Sequence, residues 1–355
     1  MGKIRFFKTE NPKPKPDQKN LGFGRYFSDH MFLMNYDKGQ GWHDPRIVPY
    51  GPFELEPSAM VFHYAQEVFE GMKAYRRADG GIQLFRPIEN IRRMNVSCER
   101  LSIPQIDEEI FMEALIELVK LDQDWVPSEP DTSLYIRPFI IATEPQVGVH
   151  SSRSYIFCII TCPVGAYYPE GLNPVKIYVE GRDVRAVRGG TGNVKAGGNY
   201  AATLRAGEEA SRRGFSQVLW LDAVHRKYIE EVGSMNVFFK IDGEVITPSL
   251  TGSILPGITR ASCIHILKQW GMPLSERPIT VDELFEAAEA GRLDEAFGSG
   301  TAAVISPIGK IVYGDKTAIL SGGNIGPLSA KLYDYLTGIQ WGRIEDPFGW
   351  TVRVV

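Results

Sequence analysis

A stretch rich in glycine, proline and tyrosine interrupts the chain near its middle, around residues 167–174. Strand and helix patterns occur on both sides of it, and a chain of 355 residues is longer than a single hydrophobic core usually serves. We therefore predict a small domain over residues 21–165 and a large domain over 176–355, joined by a linker at 166–175. Residues 1–20 contain three prolines between lysines, and we expect a flexible N-terminal arm there.

Composition and charge argue against several classes of function. The chain has 39 lysines and arginines against 43 aspartates and glutamates, without a long run of one sign, which disfavours a nucleic-acid partner. The longest apolar run, Tyr155–Ile160, is too short to cross a bilayer, and the N-terminus lacks an apolar leader, so we expect a cytoplasmic protein. The four cysteines show neither a Cys-x-x-Cys pair nor metal-ligand spacing, so we expect reduced thiols and no metal site.

Local patterns predict several elements with definite bounds. Met235–Ile241 and Glu244–Thr247 flank Asp242-Gly243, the residue pair that tight hairpin turns favour. Apolar spacing predicts helices at 199–213, 259–270 and 281–290, the last with a capping box of Thr280 and Glu283.

One lysine, Lys195, has glycines on both sides within the segment Gly189–Tyr200, just before a predicted helix. Glycine lets the backbone approach a ligand closely, and a desolvated lysine amine is nucleophilic enough to form an imine with an aldehyde cofactor. A surface lysine on a flexible loop is the simpler interpretation of this segment alone. The spacing of its glycines fits neither a phosphate-binding P-loop nor a dinucleotide-binding loop.

Three further segments have a composition suited to binding an anion or a cofactor. Leu255–Arg260 runs into a helix whose free N–H groups could hold a phosphate, although most such segments are ordinary helix starts. Gly298–Ala302 joins two strand-like segments, where exposed amides could receive a carboxylate, or where a plain turn would suffice. Glu230–Asn236 places an acid next to a glycine; this acid could pair with a protonated ring nitrogen, or could simply be solvated.

These four segments, in this order and at these separations, resemble the branched-chain aminotransferases of the pyridoxal-phosphate fold type IV group. The similarity extends from about Phe23 to the C-terminus and includes motifs at 64–75, 92–94, 135–138 and 163–167. It implies a mixed α/β (α+β) fold of two domains, a smaller N-terminal α/β domain and a larger C-terminal domain with a β-barrel-like core.

The resemblance implies that pyridoxal 5′-phosphate is the cofactor. Lys195 would bind it covalently and then move a proton between the substrate Cα and the cofactor C4′. Glu231 would keep the ring nitrogen protonated, and Tyr200 would hydrogen-bond the phenolic oxygen. The phosphate would be held by the remaining cofactor residues, which are Arg93, the amides of Ile258 and Thr259, and Thr301. By its helical position alone, Arg93 would instead be expected to face solvent.

The resemblance also implies a substrate pocket. The amides of Thr301 and Ala302 and the hydroxyl of Tyr135 would take the α-carboxylate, and Arg137 would meet the side-chain carboxylate of glutamate. The apolar slot for a leucine, isoleucine or valine side chain would be formed by four aromatic residues, Tyr64, Phe69, Tyr167 and Tyr200. Since aromatic residues in strands usually belong to the core, this assignment depends on the resemblance.

The implied reaction is a reversible ping-pong transfer of the amino group of L-leucine, L-isoleucine or L-valine to 2-oxoglutarate, by way of pyridoxamine phosphate. A homodimer is also implied, with the active site at the domain junction and small-domain residues reaching across from the neighbour. Some vertebrate relatives carry a redox Cys-x-x-Cys pair where this chain has Ala303 and Ser306, so we expect no thiol-based regulation there.

Two other functions remain open at this point. A D-amino acid aminotransferase or an aminodeoxychorismate lyase would share the cofactor residues and differ in the pocket, although such relatives are usually shorter. A catalytically silent relative would be expected to lack the lysine or the ring-nitrogen acid, and this chain has both.

Overall fold

The computed structural model describes residues 3–165 and 172–355. Contacts within this part of the chain divide it into two compact units. The first unit consists of the described residues within 1–167, together with Val194–Gly197 and Gly338–Val355. The second consists of the described residues within 168–193 and of Gly198–Thr337. In neither range of described residues does a helix combine the length and apolar character needed to cross a membrane.

The helices and strands follow one another along the chain as mixed α/β structure. The strands are β1 (Arg5–Phe6), β2 (His30–Asp37), β3 (Gly41–Pro49), β4 (Glu67–Phe69), β5 (Met72–Arg76), β6 (Ile82–Phe85), β7 (Ser133–Ala142), β8 (Ser154–Val164), β9 (Val175–Glu180), β10 (Gln217–Leu221), β11 (Ile229–Val232), β12 (Met235–Ile241), β13 (Glu244–Thr247), β14 (Leu274–Glu276), β15 (Leu293–Gly300), β16 (Val304–Tyr313), β17 (Lys316–Ile319) and β18 (Thr351–Arg353). The α-helices are α1 (Met60–Tyr64), α2 (Pro87–Arg100), α3 (Glu108–Leu121), α4 (Gly197–Ala201), α5 (Leu204–Arg212), α6 (Ile258–Gln269), α7 (Val281–Glu289) and α8 (Pro327–Gln340).

The first unit is built on a nine-stranded sheet in the order β1-β3-β2-β8-β7-β5-β6-β18, with β4 paired to β7. The helices α2 and α3 pack on one face of this sheet through apolar residues at helical spacing, such as Ile91 and Met94 on α2. Phe111 of α3 lies edge-on to Phe157 of β8, with ring centroids 4.8 Å apart. This face therefore forms the hydrophobic core of the unit.

Because side chains alternate along a strand, the opposite face of the same strands presents a different set of residues. Phe69 of β4 pairs with Phe139 of β7, and Lys73 of β5 pairs with Tyr135 of β7. We call this surface the Arg137 face and define it by Glu67, Phe69, Lys73, Tyr135 and Arg137.

Several residues of the expected N-terminal arm contact the sheet of the first unit. Residues of β1 pair in parallel with β3, and a short 3-10 helix follows at Gln18–Asn20. The Lys13 N–H donates to Asp29 over 2.8 Å, and the Lys15 ammonium lies 4.0 Å from the Trp125 ring centroid. Charged groups and a ring of the first unit thus bind lysines that composition alone assigns to solvent. The flexibility of the arm stays a prediction.

The C-terminal residues also differ from the predicted domain bounds, which assigned them to the large domain. Strand β18 pairs with β6, with Val352 opposite Leu84, and so extends the sheet of the first unit. The Trp341 ring lies 4.8 Å from that of Tyr75. Such pairing between distant parts of the chain leaves no local signal in the sequence.

In the second unit, strands β11-β10-β9-β16-β15-β12 form a continuous sheet, and an additional pairing of β11 with β12 closes it on itself. The rings of Phe238 and Phe297 stack 5.0 Å apart on β12 and β15. The barrel-like core implied by the resemblance is confirmed. One predicted helix, 199–213, is divided into α4 and α5, because the Thr203 hydroxyl and N–H both bond the Tyr200 carbonyl.

Candidate active site

Lys195 lies in an irregular segment of the first unit, two residues before α4. Its carbonyl accepts a hydrogen bond from the Phe69 N–H at 3.1 Å, and its own N–H donates to the Ser97 hydroxyl at 3.1 Å. The backbone is therefore attached to both β4 and α2. The Nζ atom lies 4.8 Å from the centroid of the Phe69 ring, so the amine is held beside an aromatic surface.

Arg93 is buried on α2 and forms a two-pronged ion pair with Glu70. Its Nε donates to Oε1 at 2.7 Å and its Nη2 to Oε2 at 3.0 Å. Burial opposes ionisation of Glu70, but the attraction of the Arg93 guanidinium outweighs it and lowers the pKa of that carboxyl. The solvent-facing alternative for Arg93 is therefore wrong, and its contact with a phosphate stays a prediction.

The structure brings Phe69, Tyr135 and Arg137 together on the Arg137 face. The Arg137 Nη2 donates to the Tyr135 hydroxyl over 3.1 Å, and the guanidinium carbon lies 4.7 Å from the Phe69 ring centroid. A Cβ atom at Gly71 would overlap the Tyr135 hydroxyl, so a glycine is required for that hydroxyl to occupy its position. A cation and an apolar ring thus lie side by side.

Two charged residues of this face were not predicted from the sequence. Lys73 is 5% exposed, and burial lowers the pKa of its amine to about 8. Burial raises the pKa of the Glu67 carboxyl, while the Gly197 N–H and the charge of Arg137 act in the opposite direction. The signal that could have found them is the strand alternation itself, since Glu67, Phe69, Gly71 and Lys73 occur at every second position.

In the second unit, Glu231 of β11 is the predicted ring-nitrogen acid and is buried. Its Oε1 accepts the Leu255 N–H at 2.8 Å, and its Oε2 lies 3.0 Å from Nε of Arg185. Arg185 was also missed; it is 9% exposed and donates to the carbonyls of Gly192 and Ser253. One arginine thus connects the acid to the glycine-rich segment and to the loop before α6.

The other glycine-rich segments of this unit are held by close packing. Asn236 donates to the Leu255 carbonyl at 2.9 Å, and a Cβ atom at Gly257 would overlap the Asn236 side chain. Helix α6 starts at Ile258 and Thr259, directly after Gly257, which has no side chain to cap it. Its first amides therefore depend on other acceptors, which suits an anion.

The remaining predicted site residues differ in local structure and exposure. Thr301 and Ala302 lie in the tight turn that joins β15 to β16, as expected for an amide-lined turn. Tyr200 lies on α4 and is partly buried, whereas Tyr64 ends α1 and is 36% exposed. Tyr167 lies outside the described residues.

Within its own unit, each of these groups matches a different part of a phosphorylated aldehyde cofactor with a basic ring nitrogen. The lysine amine matches the aldehyde, the buried carboxylate of Glu231 matches a protonated ring nitrogen, and the start of α6 matches a phosphate. The chemistry that such a set of residues supports is proton movement next to an amino group.

Comparison with known proteins gives a consistent result. The family model described as amino-transferase class IV matches residues 67–311. The chain is 57% identical over 348 residues to branched-chain-amino-acid transaminase 1 of Bacillus subtilis (strain 168), covering 98% of each chain. It is 45% identical over 364 residues to the branched-chain-amino-acid aminotransferase of Mycolicibacterium smegmatis, covering 99% of each.

Solved structures agree with these relatives. The branched-chain amino acid aminotransferase of Escherichia coli matches with a TM-score of 0.77 at 28% identity, covering 92% of this chain and 99% of that one. The branched-chain aminotransferase of the thermophilic archaeon Thermoproteus uzoniensis, solved with norvaline, matches with a TM-score of 0.74 at 27% identity, covering 92% and 100%.

Proposed function

We propose, because this chain belongs to the class IV family of amino-transferases, that it transfers the amino group of L-leucine, L-isoleucine or L-valine to 2-oxoglutarate. The products are the branched-chain 2-oxo acid and L-glutamate, formed in two half-reactions through pyridoxamine phosphate. The observation that carries this proposal is the near-full-length match, at 57% identity, to a branched-chain-amino-acid transaminase.

The proposed cofactor is pyridoxal 5′-phosphate, with Lys195 as the residue that binds its aldehyde carbon. When bound, the cofactor supplies an electron-accepting ring that stabilises the charge left at the substrate Cα. Lys195 would hold and move the proton of the substrate Cα, acting first as base and then as acid. Support comes from the amine's position beside Phe69 and from the two backbone hydrogen bonds that hold its segment.

Further residues position the cofactor in this proposal. Glu231 faces the ring nitrogen, and the nearby guanidinium of Arg185 is its counter-ion within the protein. Tyr200 hydrogen-bonds the phenolic oxygen. The phosphate is bound by the four residues that the resemblance implies, which are Arg93, Ile258, Thr259 and Thr301.

The substrate residues are proposed on the same basis. Thr301, Ala302 and Tyr135 bind the α-carboxylate, while Phe69, Tyr64, Tyr167 and Tyr200 surround the apolar side chain. Arg137 binds the side-chain carboxylate of glutamate. The contact of the Arg137 guanidinium with the Phe69 ring supports this, because one surface then offers an apolar contact and a cation.

We also propose a homodimer. Among the exposed apolar residues of the first unit, four lie in two segments, around 62–64 and 147–149: Phe62 (61%), Tyr64 (36%), Val147 (69%) and Val149 (85%). The two segments that carry them are joined by a β-bridge between Ala59 and Pro145. An exposed apolar cluster of this kind is typical of an interface, and Tyr64 within it could reach a neighbour's pocket.

The cytoplasm is the proposed location, supported by four cysteines that are all buried and unpaired, as in a reducing compartment.

A steady-state panel of amino donors with 2-oxoglutarate tests the proposed reaction. We expect turnover with L-leucine, L-isoleucine and L-valine, each giving glutamate and the matching 2-oxo acid. Turnover of D-alanine without any of these three would contradict the proposal and favour a D-amino acid aminotransferase.

A further inference from the structure

Glu67 has no role in the proposed reaction, yet it is a partly buried carboxylate on the Arg137 face. We propose that Glu67 determines substrate specificity by acting as the counter-charge of Arg137 when an apolar side chain occupies the pocket. This inference rests on the proposed function, in which one site accepts both leucine and glutamate.

The position of Glu67 is fixed by its neighbours. It precedes Phe69 by two residues on β4, so the two side chains share a face of the sheet with Arg137. The Gly197 N–H donates a hydrogen bond to its carboxylate. A Cβ atom at Gly197 would overlap Oε1 of Glu67, so the carboxylate lies directly against the backbone two residues after Lys195.

The charges of this face indicate an interaction between Glu67 and Arg137. Burial raises the pKa of the Glu67 carboxyl, and the charge of Arg137 opposes that rise, so the carboxylate and the guanidinium attract each other. The guanidinium itself lies against the Phe69 ring and hydrogen-bonds the Tyr135 hydroxyl.

The two substrates make opposite demands on this cation. An apolar side chain displaces water from Arg137 without replacing its charge partner, and a desolvated cation without a partner is unfavourable. Glu67 supplies that partner. The side-chain carboxylate of glutamate pairs with Arg137 directly, and Glu67 then adds like-charge repulsion. Glu67 therefore shifts the preference of the pocket toward apolar amino acids.

The Glu67→Gln variant isolates the charge, because an amide oxygen still accepts the Gly197 N–H. With the holoenzyme we expect the ratio of kcat/KM for L-leucine to that for L-glutamate, measured in separate half-reactions, to fall about tenfold. Calorimetric binding of two acids that lack an amino group provides a readout without turnover. We expect 4-methylvaleric acid to bind the variant more weakly than the parent, and glutaric acid to bind it more tightly.

A double-mutant cycle with Arg137→Met tests whether Glu67 acts through Arg137. In the Arg137→Met background, Glu67→Gln should leave the leucine-to-glutamate ratio within about twofold. An equal loss for both substrates in the single variant would overturn the proposal, since it would show a purely structural role at Gly197. Failure of the parent enzyme to use leucine would contradict the proposed function instead, so the two failures are distinguishable.

Discussion

Replacing Gly197 tests most directly why a glycine lies two residues after Lys195. An added Cβ would displace the end of the Glu67 side chain, whereas a Cβ at Gly198 meets no atom within 4 Å. We expect Gly197→Ala to lower kcat/KM for leucine about tenfold with little change in stability, because the Glu67 side chain can shift. Gly198→Ala is the matched control and should remain within about threefold of the parent. Equal activities of the two variants would contradict the proposed contact of Glu67 with this glycine.

Lys73 is a buried amine whose charge opposes folding. Its pKa falls from 10.5 to about 8, a difference of about 3 kcal/mol between the two protonation states. Below pH 8 the Lys73 amine is protonated in both the folded and the unfolded states. The folded state is then destabilised by the full cost of burying the charged amine. Between pH 8 and 10.5 the unfolded state binds more protons, and stability rises with pH.

Lys73→Met should therefore raise the free energy of unfolding at pH 7 by up to about 3 kcal/mol. Its advantage over the parent should shrink as the pH rises through 8 toward 10.5. Chemical denaturation of both proteins at pH 7 and pH 10 measures the difference. A variant that is no more stable at pH 7 would show that other contacts of the amine compensate for its burial.

The site residues that the sequence predicted belong to continuous motifs. Lys195, Glu231 and the start of α6 each lie beside glycines in one short segment, so a local pattern marked them as candidates, and the family resemblance was needed to give them roles. Arg185 and Glu67 were missed because their partners, Glu231 and Arg137, lie far along the chain, and only folding brings the charges together.

At the scale of elements, Arg185 connects three segments of the second unit. It is the ion partner of Glu231 and also donates to two carbonyls. Removing one member of a buried ion pair typically costs about 3–5 kcal/mol, because the other charge stays buried. We expect Arg185→Met to lower stability by about that amount and to weaken cofactor binding at least tenfold.

Arg182→Met is the control for Arg185→Met. Arg182 forms an ion pair with Glu209 on the surface, with its side chain 74% exposed, and exposed pairs contribute little. Spectroscopic titration with pyridoxal phosphate and denaturant unfolding compare the two variants. Similar behaviour of both would show that Arg185 supports neither the fold nor the cofactor site.

Local sequence patterns predicted the elements whose bounds are set by neighbouring residues in the chain. The β12–β13 hairpin has its predicted bounds because Asp242 and Gly243 both adopt positive φ, at 51° and 79°, as this turn requires. The hydrogen bonds of Thr203 divide a predicted helix, and β18 joins a sheet whose other strands precede it by most of the chain. The apolar periodicity of the sequence predicts neither the division of the helix nor the pairing of β18.

At the scale of the whole molecule, the exposed apolar residues of the first unit should control assembly. Val147→Asp places a charge on a side chain that is 69% exposed, so the monomer should tolerate it. We expect a dimer dissociation constant raised at least 100-fold, and lower activity as Tyr64 loses its neighbour. Val224→Asp, at a residue 73% exposed in the second unit, is the control. Sedimentation at micromolar concentration compares them, and an unchanged dimer in Val147→Asp would contradict the proposed interface.

The central claim is that the amine of Lys195 carries the cofactor. Borohydride reduction of the holoenzyme followed by peptide mass mapping tests it most directly, because reduction makes the bond to the cofactor permanent. We expect one added coenzyme mass per chain, on the peptide that contains Lys195. Coenzyme mass on a different lysine, or on none, would contradict the claim.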